Sequence, residues 1–190
     1  MNRPLAWTTP IFRMPGSSVK ERRSRRAYYS MKRRKISPRV CSMKFDGHLL
    51  SRGFWLYVWR INSEKGEFIY VGRTGDSSSC NASSPFTRVG QHLDSRENAK
   101  GNSLTRHLVN EQLDPTLCSF ELIAIGQLFP EQTSWGAHCE FRDRTAALEK
   151  YLADQLIDRG LHVIGTHHTR HDPHGEDLEL INRFLDEHFL

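Results

Sequence analysis

The chain has 190 residues, and none of them form an apolar run long enough to cross a bilayer. A membrane-spanning helix needs about 20 consecutive apolar residues, so we expect no membrane partner. Cysteine is also scarce. The four cysteines, at 41, 80, 118 and 139, are far apart and form no CxxC pair. This spacing argues against a cysteine-rich zinc site and a disulfide framework, and it favours a reducing compartment such as the cytoplasm.

Acidic residues are nearly missing from the first 50 positions. This stretch holds 13 Lys and Arg but only two acids, Glu21 and Asp46, a balance of +11. Of the chain's 27 basic and 22 acidic residues, the remainder keeps 14 and 20, a balance of −6. Because the first 50 residues also contain few aliphatic side chains, we expect a flexible basic arm over 1–50 and a folded domain over 51–190.

The basic arm has three possible roles. Clusters of Lys and Arg attract phosphate groups, which predicts a nucleic-acid-binding arm. The abundance of Arg and Ser is also compatible with an organellar targeting segment. A solvated tail, or upstream sequence translated from an early start codon, is the third possibility. The residues predicted to contact nucleic acid are Arg22, Arg23, Arg25, Arg26, Lys32, Arg33, Arg34 and Lys35.

The folded part begins with a predicted β-hairpin. "GFWLYVWRI" (53–61) and "EFIYVG" (67–72) are rich in aromatic and β-branched residues, and a polar loop containing glycine separates them. Apolar periodicity and turn signals predict further elements. They are helices over 85–93, 102–112, 142–160 and 176–189 and strands over 118–129 and 161–165, with "SWGAHCEF" (134–141) as a loop. The order predicts an α+β fold in which helices flank a small antiparallel sheet.

Five side chains are the candidates for a catalytic site. Arg88 and His92 are four residues apart and share one helix face. Glu149 interrupts an apolar helical stripe, where a charge needs a partner or a metal ion. Tyr57 and Tyr70 lie on strands predicted to pair. A carboxylate for a hard cation, a guanidinium for phosphoryl charge and proton-transfer groups together suit phosphodiester cleavage.

The same residues resemble the motifs of the GIY-YIG nuclease family. "WLYVW" is similar to the first motif, with Tyr57 at the tyrosine position, and "YVG" (70–72) is similar to the second. "SPFTRVGQHL" (84–93) resembles the helix that bears the family's arginine and histidine. "AALEKYLADQLIDRG" (146–160) resembles the helix with the metal-binding glutamate. The resemblance spans about residues 53 to 168, essentially the whole predicted domain.

The resemblance implies a metal-dependent endonuclease that hydrolyses DNA phosphodiester bonds. Glu149 would hold one divalent ion, Mg²⁺ or Mn²⁺. Tyr57, helped by His92, would activate the attacking water, Tyr70 would contact the phosphate or the metal's water shell, and Arg88 would stabilise the transition state.

The loop after the second motif has two expected functions. An unperturbed tyrosine has a pKa of about 10, so a basic role for Tyr57 calls for a cationic neighbour, for which Arg73 and the metal ion are candidates. Arg73, Thr74 and Gly75 are predicted to approach DNA, since glycine-rich backbone can offer amide groups to phosphate.

The chain departs from the family at two positions. Trp55 replaces the first glycine, and Gly165 stands where the family usually has an asparagine. Thr166, His167 or His168 could take over the asparagine's place. The alternative is a catalytically impaired GIY-YIG-like protein that binds nucleic acid without cutting it. A third class, a protein-interaction module, would neither cut nor bind DNA.

Overall fold

The structure, a computed structural model, describes residues 38, 40–96 and 98–189. The predicted nucleic-acid contacts of the basic arm lie outside the described residues. The chain divides between Met43 and Lys44, and the residues from Lys44 onward form one compact unit. Residues 44–50, which the sequence assigned to the arm, therefore belong to the same unit as the domain.

The predicted hairpin is confirmed. Strand β1 spans Gly53–Ser63 and strand β2 spans Gly66–Arg73. The two strands pair in antiparallel register, with Trp59 opposite Tyr70 and Tyr57 opposite Gly72. Because side chains alternate between the two faces of a strand, Tyr57 and Tyr70 lie on the same face as diagonal neighbours.

Two short helices follow the hairpin. Helix α1 spans Pro85–His92, and Ser84 caps it by accepting the Thr87 N–H at 3.2 Å, with Pro85 in the first turn as the sequence predicts. Helix α2 spans Ser103–Asn110. Each helix is slightly shorter than predicted. The connection between them brings the end of α1 against the start of α2.

The second half of the domain has one long helix between two further strands. Strand β3 spans Ser119–Pro130, helix α3 spans Trp135–Asp158, strand β4 spans Val163–Ile164 and helix α4 spans Gly175–His188. The element order is the predicted one. No described helix combines the length and the apolar character that crossing a bilayer requires.

Two details of the prediction were wrong. "SWGAHCEF" (134–141) is the start of α3, not a loop, because Ser134 caps the helix through the Ala137 N–H and His138 is fully buried against the Phe54 ring. The sheet is mixed, not purely antiparallel: its order is β3-β1-β2-β4, and β4 pairs with β2 in parallel.

The sheet has an apolar core on each face. Leu56 and Val58 of β1 point to the face that α3 and α4 cover, where Leu148, Leu152 and Leu185 pack. The alternate residues of β1 and β2, including both tyrosines, point to the face that α2 covers. The buried residues of this second core are Tyr57, Trp59, Ile61, Phe68, Tyr70, Leu104, Leu108, Leu113 and Ile164. The tyrosines therefore lie in the layer between the sheet and α2.

Candidate active site

Tyr57 and Tyr70 form the floor of the candidate site. Tyr57 is 1% exposed and Tyr70 is 8% exposed, so only the hydroxyl ends are placed to do polar chemistry. Both rings stand edge-on to the imidazole of His92, with ring centroids 5.6 Å and 5.4 Å away. The sheet register therefore brings both predicted tyrosines to the histidine at the end of α1.

Gly72 leaves the space in which the Tyr57 ring lies. A Cβ atom at residue 72 would be 2.5 Å from Cε2 of Tyr57 and 2.8 Å from its hydroxyl oxygen. Such distances are well inside van der Waals contact, and Tyr57 is packed on every side. The glycine of the "YVG" motif is thus required by the tyrosine of the other strand.

We expect Gly72→Ala to lower the free energy of unfolding by about 1–3 kcal/mol, the usual cost of overpacking a core. The displaced Tyr57 would also lose its hydrogen bond to His92. Urea denaturation measures the stability change. Gly90→Ala is the matched control, because a Cβ at Gly90 meets nothing within 4 Å. Since Gly90 lies inside helix α1, alanine there should raise stability by up to about 1 kcal/mol. Equal stabilities for the two variants would contradict this reading of Gly72.

His92 is held between the two tyrosines by hydrogen bonds on both ring nitrogens. Its Nε2 lies 2.6 Å from the hydroxyl of Tyr57, and its Nδ1 lies 3.0 Å from Oγ of Ser103. Oγ of Ser103 lies 2.8 Å from the hydroxyl of Tyr70. The Tyr57 hydroxyl also lies 3.2 Å from the carbonyl oxygen of Arg73, which is a second acceptor for its one hydrogen. One continuous chain of polar groups therefore connects the two phenols.

Arg88 lies one helical turn before His92 and is positioned by two polar neighbours. Its guanidinium donates to Asp76 at 3.0 Å and to Gln91 at 3.0 Å, while its Nε is buried without a partner among the described residues. The charge of Arg88 acts on both Tyr57 and Tyr70. The cationic neighbour of Tyr57 is thus Arg88. Arg73, which the sequence suggested for this role, offers Tyr57 only its backbone carbonyl.

Glu149 reaches the same site from helix α3. Its Oε2 accepts a charge-assisted hydrogen bond from the guanidinium of Arg73, the last residue of β2. Both side chains are largely buried, with 14% and 21% exposure. The negative charge of Glu149 also acts on Tyr70. The basic residues Lys150 and Arg144 on the same helix do not pair with Glu149, because Lys150 binds Asp154 and Arg144 binds the start of α4.

His167 lies beside Glu149, two residues after Gly165. Its Nδ1 lies 3.9 Å from Oε1 of Glu149, and the side chain is 10% exposed. Thr166 and His168 are exposed, so His167 is the one of the three candidates that is placed there. Gly165 has φ +100°, and a Cβ would lie 3.4 Å from Nε2 of His107. The glycine turns the chain so that the next-but-one side chain meets Glu149.

Burial shifts the pKa values of the site's titratable groups. It raises the pKa of Glu149 to about 7, although Arg73 opposes the shift. It lowers the pKa of His92 to about 3, with the charge of Arg88 acting in the same direction, and it lowers the pKa of His167 to about 4. Burial also raises the pKa of Tyr57 above its ordinary value, against the effect of Arg88. At neutral pH both imidazoles and both phenols are therefore uncharged.

These shifts predict that acid destabilises the fold. In the unfolded chain, His92 and His167 become protonated below their ordinary pKa of 6.5. In the folded chain they stay neutral until the pH falls to about 3 for His92 and about 4 for His167. Glu149 acts oppositely: between its ordinary 4.5 and about 7 it holds a proton when folded and releases it when unfolded. Two protons against one leave a net uptake of about one proton on unfolding, so the site's contribution to stability should fall by roughly 1 kcal/mol per pH unit between pH 6.5 and 4.5.

Urea midpoints measured across this pH range test the prediction. Replacing His92 by asparagine removes one of the two protons taken up by the unfolded chain, so the slope contributed by the site should drop to near zero. A stability that rises on acidification in the wild-type protein would contradict the assignment.

Three of the predicted DNA contacts, Arg73, Thr74 and Gly75, lie among the described residues. Thr74 is fully buried; its hydroxyl accepts the Trp55 N–H at 2.9 Å and donates to the Gly53 carbonyl. Gly75 is buried against the Phe54 ring. The Thr74 hydroxyl and N–H are engaged within the fold, so Thr74 is not retained as a DNA contact, whereas the backbone of Gly75 stays a predicted one. Arg73 stays at the site, but its guanidinium is paired with Glu149.

A groove lies next to the site, on the outer side of α1. It has a volume of about 720 Å³, and Gln91, Arg96 and Lys100 contribute polar groups to its lining. The groove adjoins the site through Gln91, the partner of Arg88, but it does not enclose the tyrosines. An open position of this kind suits a polymer that lies across the surface better than a small enclosed ligand.

The implied divalent ion has one strong donor in the site. No three His, Cys, Asp or Glu side chains among the described residues are grouped to hold a metal. Glu149 fits a Mg²⁺ ion in its donor chemistry, because Mg²⁺ prefers carboxylate oxygen and commonly keeps several waters. Arg73 engages Oε2, so Oε1, which lies 3.9 Å from Nδ1 of His167, is the oxygen that the guanidinium does not engage.

No protein-family model, curated protein or solved structure matches the chain. A functional assignment therefore depends on the site geometry and on the motif resemblance.

Proposed function

We propose that the domain is a metal-dependent endonuclease of the GIY-YIG type that hydrolyses DNA phosphodiester bonds. The observation that carries the proposal is the convergence of Tyr57, hydrogen-bonded to His92, with Arg88 one turn before His92 on the same helix and Glu149 paired with the last residue of β2. These side chains come from a strand and two helices that are distant in sequence. Packing of the core alone does not require polar groups of these types to meet.

Arg88 is the proposed stabiliser of phosphoryl charge. Guanidinium groups bind phosphate oxygens through paired donors, and a preorganised donor costs no reorganisation as charge develops. The buried Nε of Arg88 and the buried Nε of Arg73 both lack an acceptor among the described residues. A bound phosphodiester would supply acceptors to this pair of cations, and Asp76 would keep Arg88 oriented.

Tyr57 is the proposed general base, in combination with His92. Its raised pKa means that the phenolate does not accumulate at neutral pH. Tyr57 must therefore give up its own proton as it takes one from water, and the imidazole at 2.6 Å is placed to receive it. Tyr70, whose hydroxyl faces the same layer, would contact the phosphate.

Glu149 is the proposed metal ligand. A bound divalent ion would polarise the phosphoryl oxygen and lower the pKa of bound water. Arg73 balances the charge of Glu149 before the ion arrives, and the cation would compete with it for the carboxylate.

The experiment is a plasmid-cleavage assay with the purified full-length chain. Supercoiled DNA incubated with Mg²⁺ or Mn²⁺ should be nicked or linearised, and chelation of the metal should stop the reaction. The control is the same protein with the divalent ion replaced by Ca²⁺, which binds carboxylates with longer and more flexible coordination. DNA that stays supercoiled under every metal would overturn the proposal.

A second function is favoured by the Arg73–Glu149 pair. If the guanidinium keeps the carboxylate from any cation, the protein would bind nucleic acid without cutting it. Binding would then weaken steeply with salt, because phosphate contacts release counterions, and would occur equally with and without metal. Salt-dependent retention of DNA without cleavage identifies this case, and deletion of residues 1–43 separates the arm's contribution from that of the compact unit that begins at Lys44.

A further inference from the structure

The hydrogen bonds that connect the two phenols allow two assignments of donors and acceptors. In the first, Tyr57 donates to Nε2 of His92, Nδ1–H donates to Ser103, and Ser103 donates to Tyr70. In the second, every donor is reversed: Tyr70 donates to Ser103, Ser103 donates to Nδ1, and Nε2–H donates to Tyr57. The Tyr57 hydrogen then turns to the Arg73 carbonyl, 3.2 Å away.

Both arrangements satisfy every link of the chain. The three links measure 2.6, 3.0 and 2.8 Å, all within hydrogen-bonding distance. The carbonyl of Arg73 gives the Tyr57 hydrogen a second acceptor, which the reversed arrangement needs. The two arrangements differ by the shift of one proton along the whole chain, with no heavy atom displaced.

We propose that Ser103 links His92 to Tyr70 in a proton relay that carries the proton of Tyr57 out of the buried site. This inference rests on the proposed nuclease function and extends it. Ser103 lies at the start of α2, outside every motif that carries the family resemblance. It is a positioning and proton-transferring residue that the resemblance does not assign.

The relay converts the first arrangement into the second. The attacking water gives a proton to the Tyr57 oxygen while the Tyr57 proton moves to Nε2 of His92. The Nδ1 proton moves to Ser103, the Ser103 proton moves to Tyr70, and the Tyr70 proton passes to solvent water. The water oxygen forms its bond to phosphorus, the bond from phosphorus to the leaving oxygen breaks, and that oxygen takes a proton from solvent. After product release the shift runs in reverse with solvent water: Tyr70 takes a proton from water, Ser103 returns one to Nδ1, Nε2 returns its proton to Tyr57, and Tyr57 releases one to water, which restores the first arrangement.

The surroundings of His92 favour passing the proton on through the ring over forming a stable imidazolium. The imidazole is 1% exposed and lies near the cationic Arg88. Both conditions lower its pKa, so an imidazolium is costly there. A ring that accepts a proton on one nitrogen as it releases another from the opposite nitrogen stays neutral throughout. Ser103 is the acceptor on the side where release must occur.

The test is Ser103→Ala, with Ser103→Thr as the conservative variant. Alanine breaks the chain and leaves the Tyr57–His92 pair intact, so single-turnover DNA cleavage should slow about 100-fold, at the low end of what one positioned proton transfer contributes. Threonine retains the hydroxyl and should restore most of the rate. Ser95→Ala, an exposed position on the same α1–α2 connection, is the matched control and should cleave like the wild type.

The solvent isotope effect distinguishes the relay from a merely structural role. In mixtures of H₂O and D₂O, the wild-type rate should depend on the deuterium fraction along a curve, as expected when several protons move together. For Ser103→Ala the dependence should become linear. The ¹⁵N signals of the His92 ring should also shift in the alanine variant and not in the threonine variant, which reports the Nδ1 contact without any turnover.

The outcomes separate the relay from the function on which it rests. Metal-dependent cleavage by the wild type, with unchanged rate and isotope dependence in Ser103→Ala, overturns the relay alone. A wild-type protein that cuts no DNA overturns the nuclease proposal and the relay with it. The relay is also overturned if Ser103→Ala is slow, Ser103→Thr is equally slow, and the isotope dependence of Ser103→Ala stays curved. Ser103 would then be only a packing residue.

Discussion

Glu149→Gln is expected to reduce metal-dependent DNA cleavage at least about 1,000-fold, because the lost metal ligand removes several kcal/mol of charge stabilisation. Glutamine keeps the volume and one oxygen acceptor for Arg73, but it loses the charge that attracts a divalent ion. Initial rates of plasmid nicking measure the effect. DNA binding in the absence of metal should persist, since Glu149 is not expected to contact phosphate.

Two further variants make this result interpretable. Glu140→Gln is the control on the same helix, because Glu140 is exposed, and it should cleave normally. Removing the charge of Glu149 leaves Arg73 buried without its counterion, and such a loss typically lowers the free energy of unfolding by about 3–5 kcal/mol. Glu149→Asp therefore serves as the folded comparison: it keeps the charge but withdraws it from the site, and it should also be strongly impaired. Full activity in Glu149→Gln would contradict the assignment of the metal ligand.

Arg88→Gln is expected to lower the cleavage rate roughly 100- to 1,000-fold, the usual loss when one preorganised donor to a transition-state oxyanion is removed. Arg88→Lys should recover only part of the rate, because lysine supplies the charge without the planar pair of donors. The effect should appear in the single-turnover rate of bound DNA more than in the affinity.

The same substitution has a second consequence that does not depend on turnover. The charge of Arg88 adds to burial in lowering the pKa of His92. The pKa of His92 should therefore rise in Arg88→Gln, as followed by NMR titration of the ring. Arg96→Gln is the control, because Arg96 is exposed and pairs with Asp94. A His92 pKa that stays the same in Arg88→Gln would contradict the placement of the guanidinium.

The local pattern of the sequence was sufficient for the hairpin and the short helices. Aromatic and β-branched residues around a polar turn fix where Tyr57 and Tyr70 pair, and Ser84-Pro85 marks the beginning of α1. These signals lie within a few residues of the elements that they specify. Motif spacing likewise named the residues that the fold brings together, including Glu149 on a helix 76 residues after Arg73.

The parts that the sequence missed depend on contacts between distant elements. Ser103 is 11 residues from His92 and 33 from Tyr70, and nothing in its immediate sequence distinguishes it from any serine at the start of a helix. In the sequence Asp76 is an ordinary polar loop residue, and its pairing with Arg88 is visible only once α1 is packed against the loop. His167 was one of three open choices, and only the turn at Gly165 selects it.

The start of α3 was missed for a similar reason. Glycine and polar residues in "SWGAHCEF" (134–141) weaken the helical signal, but Phe141 packs on Phe129 with ring centroids 4.7 Å apart, and this tertiary contact extends the helix. The parallel pairing of β4 is also a tertiary effect, because a strand of two residues, Val163–Ile164, carries no periodicity of its own.

The central claim is that one pocket of this chain holds a divalent cation on Glu149 within reach of Arg88 and the two phenols. The most direct measurement is a crystal of the full-length protein soaked with Mn²⁺ and recorded for anomalous scattering. The account predicts an anomalous peak at the carboxylate of Glu149, on the side of His167, with the Arg73 guanidinium moved away from it. A fully occupied Mn²⁺ site elsewhere, with the Arg73–Glu149 pair undisturbed, would contradict it.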